Sequence, residues 1–233
     1  MKIAIIGYGK MGKTIEKIAT KEKIEIACII DKDMQKGDLS EADVSINFCV
    51  PSAAVENIFK SFDYNVPVVC GTTGWLDNFD LVKKYCEEKE TAFIYSSNFS
   101  LGVNIFFKIN QYLSSLMNKY DDPYKISIEE THHTKKIDSP SGTAITLAEK
   151  IIDNSNYESW TLKENKHNEL PIKVNRLGDV KGNHIVKYNS SIDTIKIEHD
   201  AKSREGFALG SIIASEWIIG KTGVFSFNDV LKI

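Results

Sequence analysis

The sequence predicts an α/β fold in two parts, a parallel sheet flanked by helices and then a smaller α+β region. Three observations carry this prediction. Up to about residue 100 a short apolar, β-branched run, a turn and a helical stretch recur in turn, the rhythm of strands joined by crossover helices. The pattern breaks after Asn98-Phe99-Ser100-Leu101-Gly102. Beyond the break, clean two-residue alternation takes over in 124–132, with Ile126 and Ile128 on one side and Ser127 and Glu129 on the other, as half-buried strands require.

In order, strands are expected at 2–6, 24–30, 44–49, 66–70 and 91–95, with amphipathic helices near 10–20, 52–61 and 77–89. In the first helix Met11, Ile15, Ile18 and Ala19 share one face, suited to burial against a sheet. A long helix is expected from about Val103 to Asn118, stopped by Asp121-Asp122-Pro123. Another runs from about Ser141 to Ile152, followed by strands near 171–176, 183–189 and 192–199. The polar, Asn-rich stretch 153–168 reads as a surface loop. Phe207 to Ile219 is an apolar helix ended by Gly220, suited to packing back on the first domain. The expected domains are therefore 1–102 completed by 205–233, and 103–204.

The 233 residues, 42% of them hydrophobic, are enough for a sizeable core. The net charge of −3 is spread along the chain, which argues against a nucleic-acid track or a membrane-binding patch. Met1-Lys2 leads straight into Ile3-Ala4-Ile5-Ile6 and a glycine, leaving no room for a signal peptide. Cys28, Cys49, Cys70 and Cys86 are scattered, without a Cys-x-x-Cys pair. They read as reduced core residues, and the expected location is the cytoplasm.

Gly7-Tyr8-Gly9-Lys10-Met11-Gly12 is a G-x-G-x-x-G that follows a predicted strand and opens a predicted helix, the context in which this motif binds a dinucleotide in a Rossmann-like domain. Gly7 permits the tight turn, Gly9 lets the backbone approach a pyrophosphate, and Gly12 lets helix and strand pack closely. The alternative is a glycine-rich turn without a ligand. Asp31 follows the second strand at about the distance from Gly7 expected for the acid that binds an adenosine ribose. A carboxylate there repels a 2′-phosphate and favours NADH over NADPH, whereas Lys32 beside it suits that phosphate. Asp31 as a simple turn residue is the other reading. Gly71-Thr72-Thr73-Gly74 follows a strand at the carboxyl edge where such sheets bind ligands, or is a bare turn.

The segment from Glu130 to Thr143 is the richest in chemistry: His132-His133-Thr134-Lys135-Lys136 leaves a strand, and Ser141-Gly142-Thr143 opens a helix. Backbone N–H groups at Gly142 and Thr143, the helix dipole and the Lys136 ammonium together suit a carboxylate. Standing alone, the segment also fits a solvated charged loop with Ser141 as a helix cap. No metal site is expected, because adjacent histidines on a continuing strand point to opposite faces and no acid or cysteine sits at a zinc-site spacing.

At this loop the chain resembles the 4-hydroxy-tetrahydrodipicolinate reductase family. The signature is His132-His133-x-x-Lys136-x-Asp138-x-Pro140-Ser141-Gly142-Thr143-Ala144. Supporting matches include Gly71-Thr72-Thr73-Gly74, Ser97-Asn98-Phe99-Ser100-x-Gly102, Arg176-x-Gly178-x-Val180-x-Gly182-x-His184 and Ser203-Arg204-x-x-Phe207-Ala208. The resemblance implies a Rossmann-like nucleotide-binding domain plus an α+β substrate-binding and oligomerisation domain that builds a homotetramer. It implies His132 and Lys136 as the catalytic pair, with His133, Gly142 and Thr143 holding a cyclic dicarboxylate. NADH or NADPH is implied at Gly7 to Gly12, Asp31, Lys32, Gly71, Thr72, Thr73 and the turn Ser96-Ser97-Asn98-Phe99. Two departures stand out: the stretch between Asp31 and Gly71 is short, so a strand or helix there is missing or reduced, and Ser96-Ser97 replaces small apolar residues or proline.

The implied reaction delivers hydride to ring C4 and a proton to C3. An ordinary imidazole titrates near ~6.5 and an ordinary ammonium near ~10.4, so His132 is expected to be the acid at neutral pH and Lys136 the clamp. Two rivals remain open: a homoserine or sugar dehydrogenase sharing only the nucleotide domain, and a redox-sensing protein that binds NADH without turnover.

Overall fold

The computed structural model describes residues 1–120, 124–163 and 168–232. It divides into two compact units, Met1–Leu101 with Arg204–Ile233, and Gly102–Ser203.

Unit 1 contains β1 (Lys2–Ile6), α1 (Lys10–Lys21), β2 (Glu25–Asp31), β3 (Met34–Gly37), β4 (Val44–Asn47), α2 (Pro51–Asp63), β5 (Val68–Cys70), α3 (Phe79–Glu88) and β6 (Ala92–Tyr95). With β12 (Gly223–Ser226) these strands form one seven-stranded sheet, ordered β12-β6-β5-β4-β1-β2-β3. All neighbours are parallel except β2 and β3. The apolar runs are buried on both faces, as parallel strands under two helix layers must be. Ile3, Ile5, Val44, Ile46, Val69 and Ile94 pack against Ile15, Ile18 and Ala19 of α1 and against Ala208 and Ile212. On the opposite face Val68, Cys70 and Phe93 pack against Ala54, Ile58 and Phe62 of α2 and Val82 and Cys86 of α3. Fully burying each such isoleucine or phenylalanine stabilises the fold by about 1.5–3 kcal/mol, and Ile5→Ala at the sheet centre is expected to cost about 2–5 kcal/mol.

The segment after Asp31 shows what the short spacing means. A four-residue antiparallel strand, β3, and a single 3₁₀ turn at Leu39–Glu41 carry the chain from β2 to β4, where a doubly wound fold ordinarily places a helix. Sequence reading also missed β12 (Gly223–Ser226), which extends the parallel sheet beside β6, and α7 (Phe227–Leu231), opened by a Ser226–Asp229 capping box. Between them and the rest lies α6 (Glu205–Ile218). Gly210 lets α6 come close: a Cβ there would stand 1.7 Å from the Phe99 carbonyl oxygen.

Unit 2 is a five-stranded sheet with helices. Its elements are α4 (Leu101–Met117, beginning at the boundary), β7 (Lys125–His132), α5 (Gly142–Ile152), β8 (Ser159–Thr161), β9 (Glu169–Arg176), β10 (Asn183–Asn189) and β11 (Thr194–Asp200). The order is β11-β10-β7-β9-β8, antiparallel on the β10 side of β7 and parallel on the β9 side. The stretch expected as loop at 153–168 thus contains β8, held by its pairing with β9, while 164–167 lies outside the described residues. The Asp121-Asp122-Pro123 stop also lies outside them. Ala144, Leu147, Ala148 and Ile151 of α5 cover Ile126, Ile128, Ile172 and Val186. No helix among the described residues is long and apolar enough to cross a membrane.

Candidate active site

Two sites form, one in each unit. In unit 1 the G-x-G-x-x-G loop joins β1 to α1. Gly7 has φ +91° and donates its N–H to the Ile30 carbonyl at 2.8 Å. A Cβ on Gly7 would stand 2.3 Å from the Phe48 carbonyl oxygen, and one on Gly12 would stand 2.3 Å from the Gly7 carbonyl oxygen. Both glycines are therefore required by packing. A Cβ on Gly9 would meet nothing within 4 Å, so the bare backbone of Gly9 borders open space, as the approach of a pyrophosphate demands. The loop's Tyr8 hydroxyl donates to Glu16 in α1.

That open space is a groove of about 390 Å³. Gly9, Lys10 and Met11 form one wall, and Gly71, Thr72 and Thr73 after β5 form another. Phe48, Cys49 and Pro51, after β4, complete it. Sequence reading missed Phe48 and Cys49; the signal was their place at the carboxyl end of a central parallel strand, where ligands of such sheets bind. Cys49 is half-buried in this wall, whereas Cys28, Cys70 and Cys86 are buried, and all four are free thiols.

The remaining unit 1 residues separate into groups. Asp31 and Lys32 are exposed at the β2–β3 turn, with Asp31 next to Ile30, the residue that anchors Gly7. Thr73 is exposed, but Thr72 is buried and its Oγ1 accepts the Cys49 N–H at 3.0 Å, so it holds two walls together. Ser96 Oγ donates to the Asn98 carbonyl at 2.8 Å, and Asn98 Oδ1 accepts from Ser100 N at 2.8 Å. Ser97 is exposed. Phe99, expected at the nucleotide, is 1% exposed and packs edge-on against Phe48 and Phe227 at ring-centre distances of 6.1 and 5.1 Å. Its ring is a core element, because the close approach of α6 closes over it.

In unit 2 the site grows from β7. Its alternation puts Ile126, Ile128, Glu130 and His132 on the covered face, so an apolar row ends in an acid and an imidazole. Glu130 is fully buried. Its oxygens accept the Ser141 N–H at 3.1 and 3.2 Å, and Oε1 lies 3.3 Å from Arg176 Nη1. Oε2 faces His132 Nδ1 and His184 Nε2, each at 3.7 Å. Burial alone would raise this carboxyl's pKa, but contact with His184 and Ser141 and the charge of His132 hold it down to about 2.

The loop after β7 is strapped to the start of the β9–β10 connection. Leu177 N donates to the His132 carbonyl at 2.8 Å and Thr134 N to that of Gly178 at 3.2 Å. Arg176 Nη2 reaches the Asp138 carbonyl at 2.7 Å. Lys136 pairs with Asp138 at 2.8 Å and remains partly accessible. At the end of the loop Ser141 caps α5, its Oγ accepting Ala144 N at 3.2 Å and lying 3.1 Å from His184 Nε2. Gly142 opens the helix with its Cα facing open space, and the N–H groups of Gly142 and Thr143 lie in its first turn. His133 follows the strand, half-buried.

The expectation that His132 is a ready acid at neutral pH is corrected here. Burial, then the neighbouring His184, outweigh the attraction of Glu130, and Lys136 and Arg176 add to the depression, lowering the imidazole pKa to about 4. The side chain is only 7% exposed and is neutral at pH 7 in this state. The spacing argument against metal-type clusters also needs revision: the fold brings Glu130, His132 and His184 together, with ligand-type atoms within 4.8 Å of one another. His184 comes from β10, opposite Glu130 in register, which local spacing cannot reveal. Arg176, Gly182 and His184 stood in the sequence as part of a resemblance, without a role.

Comparison with known proteins bears on both sites. Residues 1–99 match the family profile described as dihydrodipicolinate reductase, N-terminus, and 102–231 the one described as dihydrodipicolinate reductase, C-terminus. A 4-hydroxy-tetrahydrodipicolinate reductase of Christiangramia forsetii is 50% identical over 235 residues, covering 100% of this chain and 98% of the relative. One from Archaeoglobus fulgidus is 34% identical, with 100% of both chains covered. Among solved structures, a dipicolinate-bound dihydrodipicolinate reductase from Paenisporosarcina shares the fold, with TM-score 0.77, 21% identity and 97% of each chain covered.

Proposed function

The chain belongs to the dihydrodipicolinate reductase family, and from that premise we propose how its residues divide the work. It is an oxidoreductase of the diaminopimelate route to lysine, reducing 4-hydroxy-tetrahydrodipicolinate, via dihydrodipicolinate, to tetrahydrodipicolinate with a pyridine nucleotide. The dehydrogenase that shares only the nucleotide domain is excluded by the match across 102–231, and the sensor without catalysis by the identity of the relatives.

The groove of unit 1 fits a dinucleotide, because Gly9 leaves its backbone bare toward the open space while Gly7 and Gly12 are packed. Gly7 to Gly12, Gly71 to Thr73, Phe48 and Cys49 hold it in this reading, with the phosphates at the start of α1. Bound there, the reduced nicotinamide supplies the hydride. Asp31 is exposed at the strand end beside the Gly7 anchor, where its carboxylate accepts ribose hydroxyls and disfavours a 2′-phosphate. NADH is therefore the preferred coenzyme, despite Lys32. The enzyme works in the cytoplasm as a homotetramer built through unit 2, a state that light scattering measures directly.

One observation carries the assignment in unit 2: Lys136 and the N–H groups of Gly142 and Thr143 at the start of α5 stand on the same strapped loop that leads from His132. Gly142, Thr143 and His133 hold one carboxylate, and Lys136 leaves Asp138 to clamp the dianion and stabilise charge developing on the ring. The dianion also brings negative charge to a neutral imidazole, which favours its protonated form. His132 thus takes up a proton as substrate binds and delivers it to C3 after hydride transfer.

The test follows oxidation of NADH, and separately NADPH, with substrate generated in place by dihydrodipicolinate synthase. Lys136→Met is expected to raise KM, and His132→Gln to lower kcat with a smaller change in KM. An unchanged KM in Lys136→Met removes the clamp assignment.

A further inference from the structure

The mechanism above leaves one fully buried charge without a task. Glu130 touches four groups that belong to different parts of the site: the Ser141 N–H, the Arg176 guanidinium, His132 Nδ1 and His184 Nε2. A buried carboxylate is strongly disfavoured unless its partners are fixed, so these contacts hold Ser141, and with it the start of α5, in place. Toward His132 the contact is unfinished. At 3.7 Å the Oε2–Nδ1 pair is beyond hydrogen-bonding distance, and among the described residues Nδ1 is buried without a hydrogen-bond partner. Such a nitrogen is an unsatisfied polar atom, and a small rotation of the ring would satisfy it.

We propose that Glu130 is a positioning residue, its carboxylate joining the anion cradle at Ser141 to the His132 imidazole, so that dicarboxylate binding and protonation of His132 are one coupled event. This rests on the reading of His132 and the cradle given above. When the dianion settles on Lys136 and the start of α5, the ring turns Nδ1–H onto Glu130 and gains its second proton on Nε2. The groups facing His132 are Glu130 on its own strand, His184 on β10, Arg176 on β9 and Lys136 on the loop; His199 pairs with His184 from β11, and Asp138 pairs with Lys136. Glu130 is the anion among them that points at Nδ1. A metal ion held by Glu130, His132 and His184 is disfavoured, because Arg176 already places a fixed positive charge on that carboxylate and Ser141 engages both Glu130 and His184.

The experiment uses dipicolinate as probe and ¹⁵N-histidine NMR as readout. In the wild-type protein, saturating dipicolinate is expected to move the His132 titration from about 4 up to neutrality or above, with a matching pH dependence of the dipicolinate Kd. In Glu130→Gln, whose side-chain oxygen still accepts from Ser141, that upward shift shrinks. The variant's kcat falls about 10²-fold while KM changes only a few-fold, and Glu130→Asp recovers part of the rate. Dipicolinate that binds the wild type and leaves the His132 titration unmoved overturns the coupling alone. An equal shift in Glu130→Gln overturns the role of Glu130. Failure of the wild type to bind dipicolinate overturns the cradle reading and the proposal with it. If Glu130→Gln does not fold, the same titration in Glu130→Asp decides: its retracted carboxylate is expected to give a smaller shift than the wild type, and an equal shift overturns the role of Glu130.

Discussion

The two sites of this protein are made in opposite ways. The groove of unit 1 is defined by what is missing: two glycines let backbone pack on backbone, and a third leaves a strip of main chain bare. The cluster of unit 2 is crowded, with an acid, two imidazoles and a guanidinium held around one point and a lysine nearby. The first is a matter of space and tolerates little added volume. The second is a matter of charge, so its behaviour depends on pH and on what binds. Substitutions in one site should therefore fail differently from substitutions in the other.

The sharpest separation comes from Lys136→Met. With the clamp gone, kcat/KM should fall about 10³-fold, while the dissociation constant for NADH in the absence of substrate stays at the wild-type value. Steady-state kinetics and fluorescence titration of NADH check the two halves of this statement.

The charge-based site should also show in stability. His132 has a folded-state pKa near 4 against about 6.5 when unfolded, so the unfolded chain binds the extra proton first as pH falls. The associated stability is present above about 6.5 and is lost on the way down to 4, approaching about 3 kcal/mol. Glu130, lowered to about 2, adds a second loss below the ordinary carboxyl range, again because protonation is easier in the unfolded chain. Urea unfolding at pH 7 and pH 5 should reveal the first loss in the wild type, and His132→Asn should flatten it.

The space-based site gives a contrast within itself. Gly12→Ala should destabilise unit 1 by about 1–3 kcal/mol through overpacking, lowering the thermal midpoint. Gly9→Ala should leave that midpoint unchanged and weaken NADH binding about tenfold, since its methyl enters only the open groove. Equal midpoints for the two variants would mean that the packed and open glycines do not differ as described. The smallest effect is expected at Asp31→Ser, a shift of the NADPH-to-NADH rate ratio by about tenfold or less toward NADPH.

Much of this was legible in the residues alone. Period-two and helical patterns located β1, β2 and β4 to β6 with their helices, because both faces of a parallel sheet must be apolar. The glycine spacing located the groove's first wall, since each glycine answers a local steric demand. The segment from His132 to Thr143 stood out by composition, and its match to a family signature supplied the reaction. Short edge elements were less legible: β3, β8 and β12 are three or four residues long and exist through pairing with a neighbour. The burial of the Phe99 ring was equally illegible, because only the close approach of α6 puts a residue of this turn into the core.

The amino-acid sequence by itself determined the α/β organisation, the positions of the three glycines, the loop carrying His132 and Lys136, and the family. Only the tertiary structure decided that Glu130 lies beneath that loop with Arg176 of β9 and His184 of β10, that His132 is neutral there, and that Phe48 and Cys49 line the groove. The physical reason is strand register. Local periodicity says which residues face the core, but pairing between strands distant in the chain sets which charges meet, and burial among those charges sets their protonation.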